Sequence, residues 1–399
     1  MSYLASVSSR DRLRLRLDGL LMTSPDPPPT RGRSLRSTIF SSGELRLELA
    51  ERDVPKPDGN EVVVAVQASP INPSDLGVLL GAVAPGTLRA DGLDLVGTVP
   101  EAVLPLYRDR LDKPLPVGNE GAGTVIAAGP DAATLIGRRV ALFGGSMWAD
   151  YRVVDAAAVV ELPGDVSIAE GAGLFINPLT ALSMVETMRV EGHKALVHTA
   201  AASNLGQMLV RICAADGIGL VNIVRRAEQT QVLRDLGAIY VVDSSQPDFA
   251  DRLTQSIRET GATLAFDAIG GGSSAGEILT AMERAQPPLA AYTPYGTTVH
   301  KQVYIYGSLD VSPTVIQRSF GLTWSVGGYL LTTALARLGA EAVGRMRARV
   351  LAEAKTTFAS GYAQRIGLRE VLRPEVLAVF TRRSTGTKYL IDPSSDRST

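Results

Sequence analysis

The sequence predicts an α/β protein in which a β-rich segment precedes a doubly wound parallel sheet. Three observations predict it. Between Leu35 and about Val160, short Val-rich runs are broken repeatedly by Gly and Pro. From Pro178 onward, strand-sized apolar runs alternate with helical ones. The first of those runs ends in a series of small residues that opens a helix.

The elements follow in chain order. Residues 1–34 carry Arg10, Arg12, Arg14 and Arg16, then Pro25 and Pro27–Pro29. Clustered prolines cannot continue a helix or a central strand, so this segment reads as a flexible leader. Asp11, Asp18 and Asp26 argue against a mitochondrial transit peptide, a type of segment poor in acids. Glu61–Gln67, Gly123–Ala128 and Arg139–Phe143 read as strands of a small barrel or sandwich. Then come a helix over Leu179–Val190, a strand over Ala195–Thr199, an amphipathic stretch over Leu205–Asp216 and a strand over Leu220–Val224. A helix over Gln229–Leu236 and strands at Tyr240–Val242, Leu264–Ala268 and Gln302–Tyr306 continue the alternation, which means a parallel sheet. The tail holds a helix near Pro374–Phe380 and a strand near Tyr389–Ile391. The resulting organisation is a leader at 1–34, a β-rich domain at 35–177 completed by 345–399, and a nucleotide-binding domain at 178–344.

Bulk properties exclude several function classes. The 399 residues suggest two or three domains. With 40 basic and 41 acidic residues the net charge is −1, which gives no reason to expect a nucleic-acid or anionic-membrane partner. No apolar run reaches the roughly 18 residues that span a bilayer. Cys213 is the single cysteine, so no disulfide forms within the chain, and a reducing cytoplasm fits. Beside it stand three histidines, His193, His198 and His300; one cysteine cannot make the four-thiolate or Cys–His–Cys zinc sets, and a site from His and carboxylates, arithmetically possible, has no helical His pairing behind it, so no metal is expected.

The sharpest motif is the run ALVHTAAASNLG at Ala195–Gly206. A pyrophosphate needs backbone N–H groups at a helix N-terminus and no bulk in the way. Ala201, Ser203 and Gly206 stand at the three glycine positions of G-x-G-x-x-G, with Asn204 and Leu205 in the first helical turn. The bland alternative is a βα turn kept small for packing. The second strand ends in Arg225 and Arg226, 19 and 20 residues after Gly206, where a site for NAD would place an acid on the ribose. A guanidinium there attracts a 2′-phosphate, so the expected cofactor is NADPH.

Four stretches resemble the medium-chain dehydrogenase/reductase superfamily, in particular its zinc-free quinone and enoyl-thioester reductases. They are PINPSDL at Pro70–Leu76, PVGNEGAGTV at Pro116–Val125, FINPLTAL at Phe175–Leu182 and FDAIGG at Phe266–Gly271. The resemblance implies a GroES-like barrel beside a Rossmann domain, an active site in the cleft between them, and a homodimer. The run GLTWSVGGYLL at Gly321–Leu331 is similar to the family's edge strand, although an apolar run alone fits a core segment equally well. By the same resemblance, Gly270 lies in the glycine turn of the fourth strand beside the cofactor, Asn72 near the nicotinamide or a substrate oxygen, and Thr180 near the nicotinamide end. Read without it, Asn72 is an Asx turn and Thr180 a helix-entry hydroxyl.

Enoyl-thioester reductases of this kind carry a tyrosine where this chain has Val83, and the chain is expanded over about 84–115. Tyr107 lies in that expansion and reads as a surface anchor or a group able to enter the cleft. Cys213 reads as core, His198 as a near-core histidine, His193 and His300 as loop residues, and Glu120 as a buried carboxylate on a backbone donor. The leading expectation is an NADPH-dependent, zinc-independent reductase of quinones or α,β-unsaturated carbonyls. The alternatives are a 2-enoyl-thioester reductase and a non-catalytic NADPH-binding sensor or structural protein.

Overall fold

The computed structural model describes residues 29–288, 293–381 and 388–396. The expected leader at 1–34 falls mostly outside them, and its boundary moves. A nine-residue strand, β1 (Arg31–Ile39), already begins within it and pairs antiparallel along its whole length with β2 (Glu44–Asp53). Arg33 anchors the start through its own N–H to Asp150 at 2.8 Å and a two-pronged guanidinium contact to the same carboxylate. Alternation of Leu45 and Leu47 with Arg46 and Glu48 turns one face of β2 inward.

The β-rich part continues through β3 (Glu61–Pro70), β4 (Arg89–Asp91), β5 (Asp94–Thr98), β6 (Leu115–Pro116), β7 (Glu120–Ala128), β8 (Arg139–Phe143), β9 (Tyr151–Asp155) and β10 (Val159–Glu161). One sheet has the order β4-β5-β2-β1-β6. Farther on lie β11 (Ala195–His198), β12 (Gly219–Val224), β13 (Tyr240–Asp243), β14 (Leu264–Asp267), β15 (Gly270–Gly272), β16 (Lys301–Ile305), β17 (Asp310–Thr314) and β18 (Trp324–Gly328). Near the end, β19 (Gln364–Ile366) and β20 (Tyr389–Ile391) return to the first part, giving a second sheet of order β10-β8-β7-β3-β20-β19. Together these sheets form the GroES-like barrel.

The parallel sheet runs β13-β12-β11-β14-β16-β18. Numbered along the chain that order is 3-2-1-4-5-6, the Rossmann arrangement. Its residues alternate between two cores. Leu196, Leu220 and Leu264 pack with the helices Ile176–Val190, Asn204–Asp216 and Leu331–Ala352 on one face. Val197, Val221 and Ala265 pack with Phe249–Thr260 and Ser274–Arg284 on the other. β18 ends the sheet, so the run at Gly321–Leu331 is an edge strand and not a core segment. Two helices cross the boundaries set from the sequence: Ile176–Val190 bridges 177/178, and Leu331–Ala352 bridges 344/345. Among the described residues no helix is long and apolar enough to cross a membrane.

Candidate active site

Strand β11 and β14 are neighbours at the point where the strand order reverses, and ligands bind outside the carboxyl ends of such strands. There Ala200 takes a left-handed backbone, φ 49°, and turns the chain toward the helix Asn204–Asp216. Ser203 caps that helix by accepting from Gly206 N at 3.2 Å. A helix leaves its first-turn N–H groups without internal partners, so those of Asn204 and Leu205 are left to an outside acceptor. Ala201 and Ala202 are buried beneath the turn. A Cβ on Gly206 would lie 2.1 Å from the Ala201 carbonyl oxygen, so only glycine allows this approach. Small side chains and open amides at a helix start fit a dinucleotide pyrophosphate.

The facing loop is held by Asp267. Its Oδ1 accepts from Thr199 Oγ1 at 2.7 Å and Ile269 N at 3.0 Å, and its Oδ2 accepts from Gly270 N at 3.1 Å. Gly270 has φ 83°, and a Cβ there would meet the Gly307 carbonyl oxygen at 2.6 Å. Arg225 and Arg226 are exposed at the end of β12. Arg225 lies within electrostatic reach of Asp310, whose carboxyl is held below its ordinary range mainly by Ser312 N–H and also by that guanidinium.

A cavity of about 450 Å³ opens beyond the carboxyl ends of β16 and β18, lined by Tyr306, Gly307, Ser308, Gly328, Tyr329 and Leu330 among others. These residues were not singled out from the sequence. The signal was present: they follow the predicted strand Gln302–Tyr306 and lie in the edge-strand run, on the ligand side of a parallel sheet. Tyr306 Oη lies 2.8 Å from Nε2 of His198. Burial pushes the imidazole down to about 3, so it stays neutral at physiological pH. Tyr329 Oη donates to Ser183 Oγ at 2.9 Å, fixing one wall.

Where barrel and parallel sheet meet, a buried polar cluster forms. Asn72 Nδ2 donates to Glu120 Oε1 at 2.8 Å, and Asn72 Oδ1 accepts from Asn177 Nδ2 at 3.3 Å. These bonds use one of the two N–H groups of the Asn72 amide. Glu120 Oε2 accepts from the backbone N–H groups of Phe175 and Ile176, each at 2.9 Å. Burial nevertheless raises the Glu120 carboxyl, against the pull of Lys388 and these donors. Asp75 accepts from Asn72 N at 2.7 Å and Asn119 N at 2.8 Å, and burial raises it to about 7. Thr180 donates to Ile176 O at 2.5 Å, within its own helix, and its lone pairs stay available.

The remaining candidates occupy structural positions. Val83 packs over Gly97, where an added Cβ would meet its Cγ2 at 2.6 Å, and lines the barrel wall with Leu88. Tyr107 lies against Gly81 with the Arg110 guanidinium 5.8 Å from its ring centroid, so it anchors the expansion onto the barrel. Cys213 is buried in the helix Asn204–Asp216, which pushes its thiol up to about 12. His193 bonds Thr263 Oγ1 at 2.7 Å, and His300 bonds Ser325 Oγ at 3.2 Å. Among the described residues, no three His, Cys, Asp or Glu side chains come together as a metal site would need.

Comparisons with known proteins bear on this geometry. Residues 58–164 match the family described as the alcohol dehydrogenase GroES-like domain. The chain is 30% identical over 241 residues to the mitochondrial enoyl-[acyl-carrier-protein] reductase of Xenopus tropicalis, a stretch covering 57% of this chain and 61% of that protein. Against the enzyme of the same name from Mus musculus the identity is 27%, with 74% of each chain covered. In structure, it is similar to a protein assigned as an NADPH:quinone reductase from Mesorhizobium loti, with a TM-score of 0.69, 26% identity, and 92% of this chain and 100% of that one covered. A mutant enoyl thioester reductase from Candida tropicalis shares the fold, with a TM-score of 0.63, 20% identity, and 91% and 99% coverage. Barrel, sheet order and likeness converge on the fold of the medium-chain dehydrogenase/reductase superfamily, and the chain is similar to quinone and enoyl reductases of that superfamily.

Proposed function

We propose that the protein is an NADPH-dependent, zinc-independent reductase that acts on a quinone or an α,β-unsaturated carbonyl. The observation that carries this reading is the turn at Ala200–Gly206, open to a pyrophosphate, with Arg225 and Arg226 exposed at the end of the next strand. When bound, NADPH supplies the hydride. The protein's own work is orientation and exclusion of water. Ser203, Asn204, Leu205 and Gly206 hold the pyrophosphate, Gly270 permits close approach from the facing loop, and Arg225 and Arg226 select the 2′-phosphate. Tyr306–Ser308 and Gly328–Leu330 wall the nicotinamide end. Asn72 offers its remaining N–H to negative charge developing on a substrate oxygen, and Thr180 offers lone pairs nearby.

A second reading, reduction of a 2-enoyl thioester, is favoured by the sequence likeness to enoyl-[acyl-carrier-protein] reductases. Val83 weighs against it, because an apolar wall residue stands where that mechanism has a tyrosine. The free edge of β18, with Leu322 and Leu330 exposed beside it, supports a homodimer joined edge to edge; sedimentation at micromolar concentration tests it. The cytoplasm is the proposed compartment, and cell fractionation checks it against the mitochondria named for the relatives.

The deciding experiment is binding and oxidation of NADPH and NADH with a quinone, a small enone and a crotonyl thioester. NADPH-selective turnover of quinone or enone supports the leading reading. Preference for the thioester moves it to the second. Tight binding without turnover leaves a sensor, and no dinucleotide binding rejects all three. Stoichiometric zinc in purified protein would overturn the metal-free part.

A further inference from the structure

Saturating an enone takes a hydride at one carbon and a proton at its neighbour. Val83 cannot give that proton, and the Tyr107 ring packs against Gly81 and the barrel core. Two buried donors lie across the cluster. Tyr362 Oη and Lys388 Nζ are both buried and meet no acceptor at full hydrogen-bond geometry among the described residues, with Ser360 Oγ beside the phenol and Glu120 and Asp75 within electrostatic reach of the ammonium. They converge above Gly173, where an added Cβ would lie 2.9 Å from the phenol oxygen and 3.9 Å from the ammonium. The ammonium is 5.6 Å from the phenol ring centroid. Buried donors normally meet an acceptor at full hydrogen-bond geometry, so two that do not, at one spot, point to an acceptor brought by a ligand.

The neighbours locate that spot. Gly173 immediately precedes the segment whose Phe175 and Ile176 amides grip Glu120, and Glu120 is bonded to Asn72. On the other side, Ser360 accepts from Asn204 Nδ2 at 3.1 Å, at the first turn of the phosphate-loop helix. The phenol thus stands between the Asn72–Glu120 pair and the turn that receives the cofactor. Burial, and next Glu120, raise Tyr362 above its ordinary value, which keeps the phenol protonated and ready to donate. Burial lowers Lys388 below its ordinary value against the pull of Glu120 and Asp75, and it is the basic group placed to balance a phenolate.

We infer that Tyr362 is the proton donor for carbon–carbon double-bond reduction, with Lys388 as its charge partner. The inference rests on the reductase reading above. NADPH is oxidised and the double bond reduced. As the hydride reaches the β-carbon, the Tyr362 O–H bond breaks and a C–H bond forms at the α-carbon. The phenolate is held by the Lys388 ammonium and regains its proton from water. Quinone oxygens can take protons from water directly, so quinone reduction depends less on the phenol.

The test is Tyr362→Phe, with thermal melting and NADPH affinity by fluorescence measured beside activity. The enone-to-quinone rate ratio is expected to fall about 100-fold or more, in the range for loss of a general acid. In D₂O the wild type is expected to place deuterium on one face of the α-carbon, and the variant to lose that preference. An unchanged ratio together with unchanged facial labelling, in a variant that still oxidises NADPH, overturns the role of Tyr362 and leaves the reductase reading standing. Failure of the wild type to oxidise NADPH with either acceptor rejects the reading and the inference together.

Discussion

Gly206 sits so close to Ala201 that a single added methyl would lie 2.1 Å from the Ala201 carbonyl oxygen. The first helix of the parallel sheet can reach the phosphate turn only because that methyl is missing. Gly206→Ala must push helix and turn apart. Overpacking of this kind costs about 1–3 kcal/mol. The expected outcome is a lower unfolding midpoint and NADPH affinity reduced at least tenfold, read by calorimetry and fluorescence titration.

Ala200 carries the opposite liability. An alanine at φ 49° occupies a region that costs roughly 1–2 kcal/mol for a side-chain-bearing residue. Ala200→Gly relieves that strain while adding about 0.4–1 kcal/mol of unfolded-state entropy. Stability is expected to hold or rise slightly. Ala201→Gly, at a fully buried position, is expected to lower it. A denaturant series on the two variants checks the contrast.

Arg225 and Arg226 should act on the phosphate and little else. Replacing both by alanine is expected to weaken NADPH binding by about 1.5–3 kcal/mol, the range for charge-assisted bonds, and NADH binding far less. Equal loss for the two cofactors would reject the assignment.

Asp75 makes stability depend on pH in an unusual direction. Burial raises its carboxyl from 3.8 to about 7, so between these values the folded state binds a proton that the unfolded state has released. Its contribution therefore falls as pH rises from about 4 to about 7, with a slope of at most about 1.4 kcal/mol per unit. Asp75→Asn should remove that slope. The wild-type minus variant difference in unfolding free energy, followed across this window, isolates it from other groups.

Placing a tyrosine at Val83 should not create a thioester reductase. The Val83 side chain already presses on Gly97 and lies beside Leu88. Val83→Tyr is expected to destabilise by about 1–3 kcal/mol through overpacking without raising crotonyl-thioester turnover. A gain in that turnover would show that the wall is pliable.

Much of the architecture was legible because it is local. Strand–helix alternation after Pro178 and the small-residue turn at Ala200–Gly206 each depend on a few neighbouring residues. The start of β1 was hidden because Arg31, Gly32 and Arg33 follow a proline cluster and carry no apolar alternation; their order comes from Asp150, 117 residues away from Arg33. The polar cluster was hidden for the same reason. Asn72 meets Glu120 and Asn177 across 48 and 105 residues, and no spacing rule in one sequence announces such pairs. The cavity walls at Tyr306–Ser308 were reachable in principle, by extending the predicted strand to its carboxyl end.

Glu120 grips two successive amides, of Phe175 and Ile176, at the point where the chain leaves the barrel. The helix that begins there also packs into the core beneath the parallel sheet. It therefore behaves as an axle seated in both halves of the molecule. A hinge at Phe175 would have to break two buried hydrogen bonds to one carboxyl oxygen, so wide opening of the cleft at this crossing is disfavoured. Access is then a matter of side chains and of the barrel rim, and turnover should respond to mutations at that rim far more than to changes that loosen the crossing.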